Sequence, residues 1–377
     1  QARLAAFGLY APVNAAWLKS LGVEAVFGGE SEPDLLAWVQ DGAVPPEPVV
    51  RRSRIDFLLP DRSGLPPLTR YAKLKLPDGT QKTVGFAEAS RGCKHLCRHC
   101  PVVPVYEGKF RVVPVDVVVA DVVQQVAAGA AHISFGDPDF LNGPTHALKV
   151  AEALHARFPG LTWDATIKVE HLRDHAGLLP RLQACGLLFV VTAVESVDDA
   201  ILDRLAKGHT RADFEAALAH CRALGIALAP TFVPFTPWTT LGGYRELLAT
   251  LLRLRLVEAV PPVQLAIRLL VPQGSHLMQL PDFAARVGAF DEAMLGYPWR
   301  AGDARVDALQ AEIMAWAMEA DKQNLPRSAV FAGIWSRTHA ALGEAAPPID
   351  PAWFGEPIPH HSEPWYCCAE PTETQLA

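Results

Sequence analysis

The chain has 377 residues, of which 50% are hydrophobic and 20% charged, with a net charge of −7. That balance supports a sizeable core, excludes global disorder and argues against a general nucleic-acid binder. The longest apolar stretches, such as LLFVVTAV at 187–194, are too short to span a bilayer, so no membrane partner is expected.

The N-terminus opens QARLAAFGLY, with neither a secretory signal nor an initiating Met, and reads as a truncated or processed chain. Residues 1–43 read as strand, helix, strand, helix, a piece of an α/β unit too small to hold its own core. Residues 44–70 are rich in Pro and Arg and read as a linker. From about 84 the pattern changes. Apolar, β-rich runs at 84–87, 131–136, 161–167, 187–194, 225–233 and 262–271 alternate with segments of i, i+3, i+4 apolar spacing. Six such units predict a parallel sheet covered by helices: an α/β fold with a partial (βα)6 TIM-like barrel. Chemistry in such folds sits at the C-terminal ends of the strands. Helical segments follow after about 285, then a Pro- and aromatic-rich tail without periodicity, expected to lie extended over another surface. The expected division is 1–70, 71–285 for the barrel core, and 286–377 for a helical region with its tail.

Seven cysteines stand at 93, 97, 100, 185, 221, 367 and 368. An odd, clustered set does not look like a secreted disulfide framework; it suggests metal or redox chemistry in a reducing cytoplasm. Cys185 and Cys221 sit on apolar helical faces and read as small buried hydrophobes. Cys93, Cys97 and Cys100 follow the first barrel strand with C-x3-C-x2-C spacing. A [4Fe–4S] cluster normally takes four thiolates; three leave one iron open for a bound, reducible substrate. The alternative is zinc held by the three cysteines with His95 or His99, which would make the chain a zinc-binding interaction module. Two separated C-x2–4-C pairs, the usual structural-zinc signature, are absent from the sequence.

CKHLCRHC, placed after the first strand, resembles the motif of radical S-adenosylmethionine (SAM) enzymes, and the resemblance covers roughly 80 to 275. It implies that Cys93, Cys97 and Cys100 hold a [4Fe–4S] cluster. The open iron would bind the amino and carboxylate groups of SAM, and one electron, from a donor such as flavodoxin or ferredoxin, would cleave a carbon–sulfur bond. The residue before the third cysteine is commonly aromatic in the family; here it is His99, whose backbone would lie near the adenine. ISFGDPDFLN stands where the family carries a Gly-Gly-Glu-like motif, making Asp137 the candidate for the SAM ammonium; a turn or helix cap is its other reading. TAVESVDDAILDRLAKGHT resembles the cobalamin-type subgroup, with Glu195 and Ser196 implied at the ribose or methionine end of SAM and Lys207 expected to structure the following loop. In QLAIRLLVPQGS, Arg268 reads either as a fork for a carboxylate or as half of a buried ion pair. Thr166 and Lys168 are expected to line the pocket.

VNAAWLKSLGVEAVFGGESEPDLLAWV resembles the last third of the cobalamin-binding domain that precedes many radical SAM methyltransferases. The Asp-x-His-x-x-Gly motif that would ligate cobalt is absent from these residues, which puts cobalamin binding in doubt. The tail WYCCAEP resembles that of a radical SAM group ending in Cys-Cys-Ala-Glu-Pro, some of whose members carry selenocysteine there. Related enzymes of organoarsenical biosynthesis, of the arsinothricin type, hold arsenic on C-terminal cysteine pairs. A reduced vicinal pair chelates soft centres such as trivalent arsenic. The expectation is therefore a cytoplasmic enzyme whose tail folds over the barrel mouth. Cys367 and Cys368 would present a small-molecule, arsenical substrate to a 3-amino-3-carboxypropyl or adenosyl fragment of SAM. Cobalamin-dependent methylation, or another radical modification of a small molecule, is the rival.

Overall fold

A computed structural model describes residues 2–363. Near the N-terminus, β1 (Ala5–Phe7), α1 (Ala15–Ser20), β2 (Ala25–Gly29), α2 (Glu32–Asp41) and β3 (Val49–Arg51) form a three-stranded parallel sheet with its connecting helices. Alternate residues of β2 face opposite ways, so Val26 packs with Ala11 and Ala15 while Ala25 and Phe27 pack with Trp38. The segment 44–70 is therefore more than a linker. Val49 and Val50 continue the apolar pattern and pair with Phe27 and Gly28. Gly29 adopts φ 67°, and a Cβ there would lie 2.1 Å from the Arg51 carbonyl oxygen, so β3 can approach only glycine.

A hairpin of β4 (Lys73–Lys75) and β5 (Gln81–Ala87) starts the second unit. A ribbon of β6 (Ser90–Gly92) and β7 (Phe110–Val112) follows, enclosing the short helix α3 (Val103–Tyr106). Then come α4 (Val115–Ala127), β8 (His132–Phe135), α5 (Pro144–Arg157), β9 (Thr162–Thr166), α6 (Val169–Asp174), α7 (Leu179–Ala184) and β10 (Leu187–Glu195). After these come α8 (Asp199–Leu205), α9 (Arg211–Ala223), β11 (Ala227–Phe232) and α10 (Leu241–Arg253). β5, β8, β9, β10 and β11 pair in parallel, each reached through helices on one face, as right-handed βα units require. The sheet curls into a partial TIM-like barrel. The expected sixth strand at 262–271 is reduced to one parallel bridge between Phe235 and Arg268. Pro261 and Pro262 start it as a 3-10 turn instead, because proline has no N–H to give a ladder.

The outer face of the sheet carries the main core, with Ala87, Phe135, Ala165, Val190 and Leu228 side by side in register. The inner face lines a lumen. Its floor holds Leu74, Val84 and Phe189, and Thr166 and Val191 stand level with each other farther up. Past α11 (Pro281–Ala284), α12 (Ala304–Lys322) and α13 (Arg327–Leu342) close the barrel's open side, and α13 packs on α10. The chain then returns as β12 (His360–His361), antiparallel to β4. β12 therefore runs in the same direction as β5, toward the C-terminal strand ends. Among the described residues, no helix is long and apolar enough to cross a membrane.

Candidate active site at the C-terminal strand ends

The three clustered cysteines lie on the loop between the two strands of the β6–β7 ribbon. Cys93 and Cys97 are buried and Cys100 is half-buried. Gly92 (φ 75°) turns the chain into the loop; a Cβ there would sit 2.4 Å from the Lys109 carbonyl oxygen. Asn142 braces the loop. Its Nδ2 donates to the Gly92 carbonyl (3.3 Å), while its Oδ1 accepts from the Lys94 N–H (3.2 Å) and lies 3.6 Å from the Cys93 sulfur. Arg98 ties the far side to α8 by donating to the Asp203 and Arg204 carbonyls at 3.0 and 2.9 Å. Burial pushes the Cys93 thiol up to about 11, so its thiolate calls for a cationic partner.

Behind the loop lies a buried charged group. Glu195 ends β10 in the left-handed region, at φ 66°, where the register with β11 shifts. Its Oε1 lies 3.2 Å from Lys207 Nζ and 3.1 Å from His99 Nε2. Burial alone would raise the Glu195 carboxyl, but the Lys207 ammonium and His99 hold it at about 2. Lys207 is raised against its own burial, chiefly by Glu195 and then by Cys97 and Cys100, so a buried cation faces the cysteine loop. Lys207 thus does more than shape the following loop. His99 engages through its side chain, and its Nδ1 has no hydrogen-bond partner among the described residues. Ser196 is buried, and its hydroxyl accepts from the Asp198 N–H at the start of α8.

Asp137 is 2% exposed and faces back into the β5–β6 turn. Ser90 donates to its Oδ1 at 2.5 Å and the Ala89 N–H to its Oδ2 at 2.9 Å. Burial outweighs both bonds and pushes its carboxyl up to about 7. Thr166 lines the lumen at the end of β9. Lys168 is buried and pairs with Glu170 at 2.9 Å. The Arg268 guanidinium bonds Asp307 (2.7 Å) and the Trp299 carbonyl and stacks 4.0 Å over the Trp299 ring.

A chain of groups, of which the sequence singled out only His95, runs beside the loop. Asp139 Oδ2 lies 2.7 Å from His171 Nδ1, and His171 Nε2 lies 3.0 Å from His95 Nε2. His95 Nδ1 then lies 3.4 Å from Glu170. Burial, then the nearby Lys168, hold the His95 imidazole down at about 4, so it is neutral. The sequence signal was thin: GDPD reads as a turn, and His171 sits in a short helix.

Arg91 joins the N-terminal unit to this end of the barrel through Glu88, Glu30 and Glu32. Beside it lies a cavity of about 370 Å³ lined from both units, including Leu9, Ser31, Glu88, Gly92, Tyr106 and Gly136. Cys367 and Cys368 lie outside the described residues.

Residues 88–237 match the profile of the Radical SAM superfamily. The chain carries a radical SAM domain. That domain implies a [4Fe–4S] cluster and SAM as cofactors. The residues present fit such a cluster: three soft ligands, two of them buried, share one braced loop with a buried cation beside it. Among solved structures, the chain is similar to the cobalamin-dependent SAM radical enzyme OxsB with aqua-cobalamin and SAM bound, at 15% identity and a TM-score of 0.66. That alignment covers 84% of this chain and 54% of that one. It is also similar to the radical SAM methyltransferase TsrM from Kitasatospora setae, with cobalamin and [4Fe–4S] cluster bound, at 18% identity and a TM-score of 0.55, covering 67% of this chain and 55% of that one. The chain thus spans about half the length of these structures. At these identities the likeness is one of fold. No curated protein matches the sequence.

Proposed function

We propose that this protein cleaves SAM reductively and delivers a SAM-derived carbon fragment to a small molecule held by a soft, thiol-bound centre such as trivalent arsenic. The observation that carries the first part is the braced trio Cys93, Cys97 and Cys100 with the Lys207 ammonium buried beside it. A [4Fe–4S] cluster with three thiolates supplies an electron and one open iron position when bound. Around it, Lys207 offsets thiolate charge, while Glu195 and His99 fix Lys207 in place. Asp137 retains acceptor capacity beyond its two bonds and is assigned to the SAM ammonium. Ser196 and Thr166 line the approach, with Lys168 beside them. Arg268, paired with Asp307, is the candidate fork for a SAM carboxylate. A small electron-transfer protein such as flavodoxin or ferredoxin would supply the electron.

The support for the acceptor is directional. Ser362 N–H bonds the Lys73 carbonyl, level with Thr83 of β5, and the strand there heads for the C-terminal ends. Cys367 and Cys368 follow β12 in sequence by only a few residues. The rival reading, a cobalamin-dependent radical enzyme, is favoured by the parallel N-terminal unit docked on the barrel and by the cavity between them.

The test is product analysis on anaerobically reconstituted protein with SAM, a reductant and arsenite. Methionine with an adenosyl adduct of arsenic, or with free 5′-deoxyadenosine where the radical takes a hydrogen atom, marks the adenosyl route; methylthioadenosine marks aminocarboxypropyl transfer. If cluster-loaded protein yields neither, the reading fails. Product that forms only with added cobalamin selects the rival.

A further inference from the structure

At the end of the lumen away from the cysteines, three ligand-type side chains meet. They are His132 at the start of β8, Asp164 on β9 and His361 on β12. His132 Nε2 lies 2.9 Å and His361 Nε2 3.0 Å from the same oxygen, Asp164 Oδ1. All three ligand atoms fall within 4.8 Å of one another. His132 is fully buried and Asp164 is 3% exposed, beside an apolar floor of Leu74, Val84 and Phe189. A buried carboxylate between two imidazoles is poor value for stability alone, since apolar residues there would do as well or better. The reaction proposed above uses none of the three.

The surrounding groups hold them in a ligand-like pose. The Ser134 hydroxyl donates to Asp164 Oδ2 at 3.0 Å, leaving Oδ1 to the two rings. Thr162 Oγ1 lies 2.8 Å from His132 Nδ1 and accepts from Lys82 Nζ at 3.0 Å, while its own proton has the Ala131 carbonyl within 3.5 Å. When His132 Nδ1–H donates to Thr162, Nε2 turns a lone pair toward a carboxylate oxygen, an arrangement that a shared cation satisfies. The outer nitrogen of a ligating histidine usually donates to a carboxylate, carbonyl or water oxygen, and the Thr162 hydroxyl oxygen takes that place here. Zinc–ligand bonds of about 2.0–2.2 Å at tetrahedral angles set ligand–ligand edges of about 3.3–3.6 Å. The two edges seen need to open by only a few tenths of an ångström. The His361 side chain is 23% exposed, which leaves a path for an ion and room for water as a fourth ligand.

We propose that His132, Asp164 and His361 bind one divalent cation of the zinc class, clamping the C-terminal strand β12 to the barrel floor. The ion would sit remote from the cluster and hold in place the strand from which Cys367 and Cys368 follow.

The 377-residue chain, reconstituted anaerobically, is incubated with zinc chloride, dialysed and assayed for zinc per chain, and its affinity is measured by competition with a chromophoric chelator. The triple variant C93A/C97A/C100A combined with C367S/C368S removes the clustered and tail thiols and is expected to retain one zinc. His361→Ala in that background is expected to lose it, and Thr162→Val to weaken it ten- to hundredfold. Zinc is also expected to raise the melting temperature of this five-cysteine variant but not that of its H361A form. His361 lies at a sheet edge, so H361A reports even if Asp164→Asn fails to fold. The proposal is overturned if the five-cysteine variant holds no zinc, or if H361A in that background holds as much as its parent.

Discussion

Lys207 Nζ stands 3.2 Å from Glu195 Oε1 with both side chains buried, twelve residues apart and with all of α8 between them. The pair places a fixed positive charge behind Cys97 and Cys100. Lys207→Met leaves Glu195 ionised and uncompensated in the interior, at a cost of roughly 3–5 kcal/mol. The double variant E195Q/K207M is expected to lose less than the sum of the single losses, because removing both partners leaves no buried charge. Anaerobic urea unfolding of the four proteins checks this; additive losses would mean that the two groups are not coupled. K207M is also expected to retain less iron after reconstitution than E195Q.

Asp137 carries the opposite sign of pH dependence. Burial raises its carboxyl from 3.8 to about 7 in the folded chain. The folded state therefore binds the proton more tightly than the unfolded state. Its stabilising effect is full below 3.8 and is lost as pH rises through about 7. Asp137→Asn is expected to flatten the fall in melting temperature between pH 5 and pH 8. A wild-type profile that the variant reproduces would show that Asp137 is ionised throughout.

Gly92 is the turn into the cysteine loop. A side chain there meets the left-handed φ, which costs about 1–2 kcal/mol. It also meets the Lys109 carbonyl oxygen at 2.4 Å, a backbone atom that cannot swing away. Gly92→Ala is expected to lower iron per chain and the visible absorbance of the reconstituted protein. Gly79→Ala serves as a control, since open space surrounds that position. Equal iron content in both variants would remove Gly92 from the design of the loop.

How far the sequence could be read depended on how local each feature was. Cys93, Cys97 and Cys100 announce themselves because their ligand spacing lies within eight residues. The parallel strands did so because strands with helices on one face keep apolar periodicity. Glu195, His99 and Lys207 were each singled out, but the His99–Glu195 contact joins residues 96 apart and depends on the shift at the end of β10. The sixth strand read as apolar and extended, yet Pro261 and Pro262 took its first hydrogen bonds away. β3 was hidden in a segment whose prolines read as linker. Asp139 and His171 gave no pattern at all, since nothing in GDPD or VEHL says that they face one another.

His95 lies inside the cysteine motif and is the loop's bond to α6, through His171. The ring is neutral near pH 7, so the link is a hydrogen bond rather than an ion pair. His95→Ala is expected to leave the cluster assembled but exposed to loosening, with loss of visible absorbance in air several-fold faster than in wild type. H171A is expected to do the same, and the H95A/H171A double variant to be no faster than either. Additive rates would separate the two histidines and end this account of the loop.

The tail gives the sharpest division between making the fragment and receiving it. Cys367 and Cys368 lie outside the described residues, but the strand before them is pinned at Lys73 and directed toward the cysteine loop. If they hold the acceptor, C367S/C368S removes a soft chelate without touching the trio that binds the cluster. The variant is expected to keep its iron content and visible spectrum and to cleave SAM with reductant at near wild-type rate. It is also expected to lose most of its arsenite binding and all transfer of the SAM fragment to arsenic. Arsenite binding follows from equilibrium dialysis and the transfer product from mass spectrometry. Unchanged transfer by the double variant would refute an acceptor role for the pair. Loss of SAM cleavage together with transfer would mean instead that the tail acts on the cluster end as a whole.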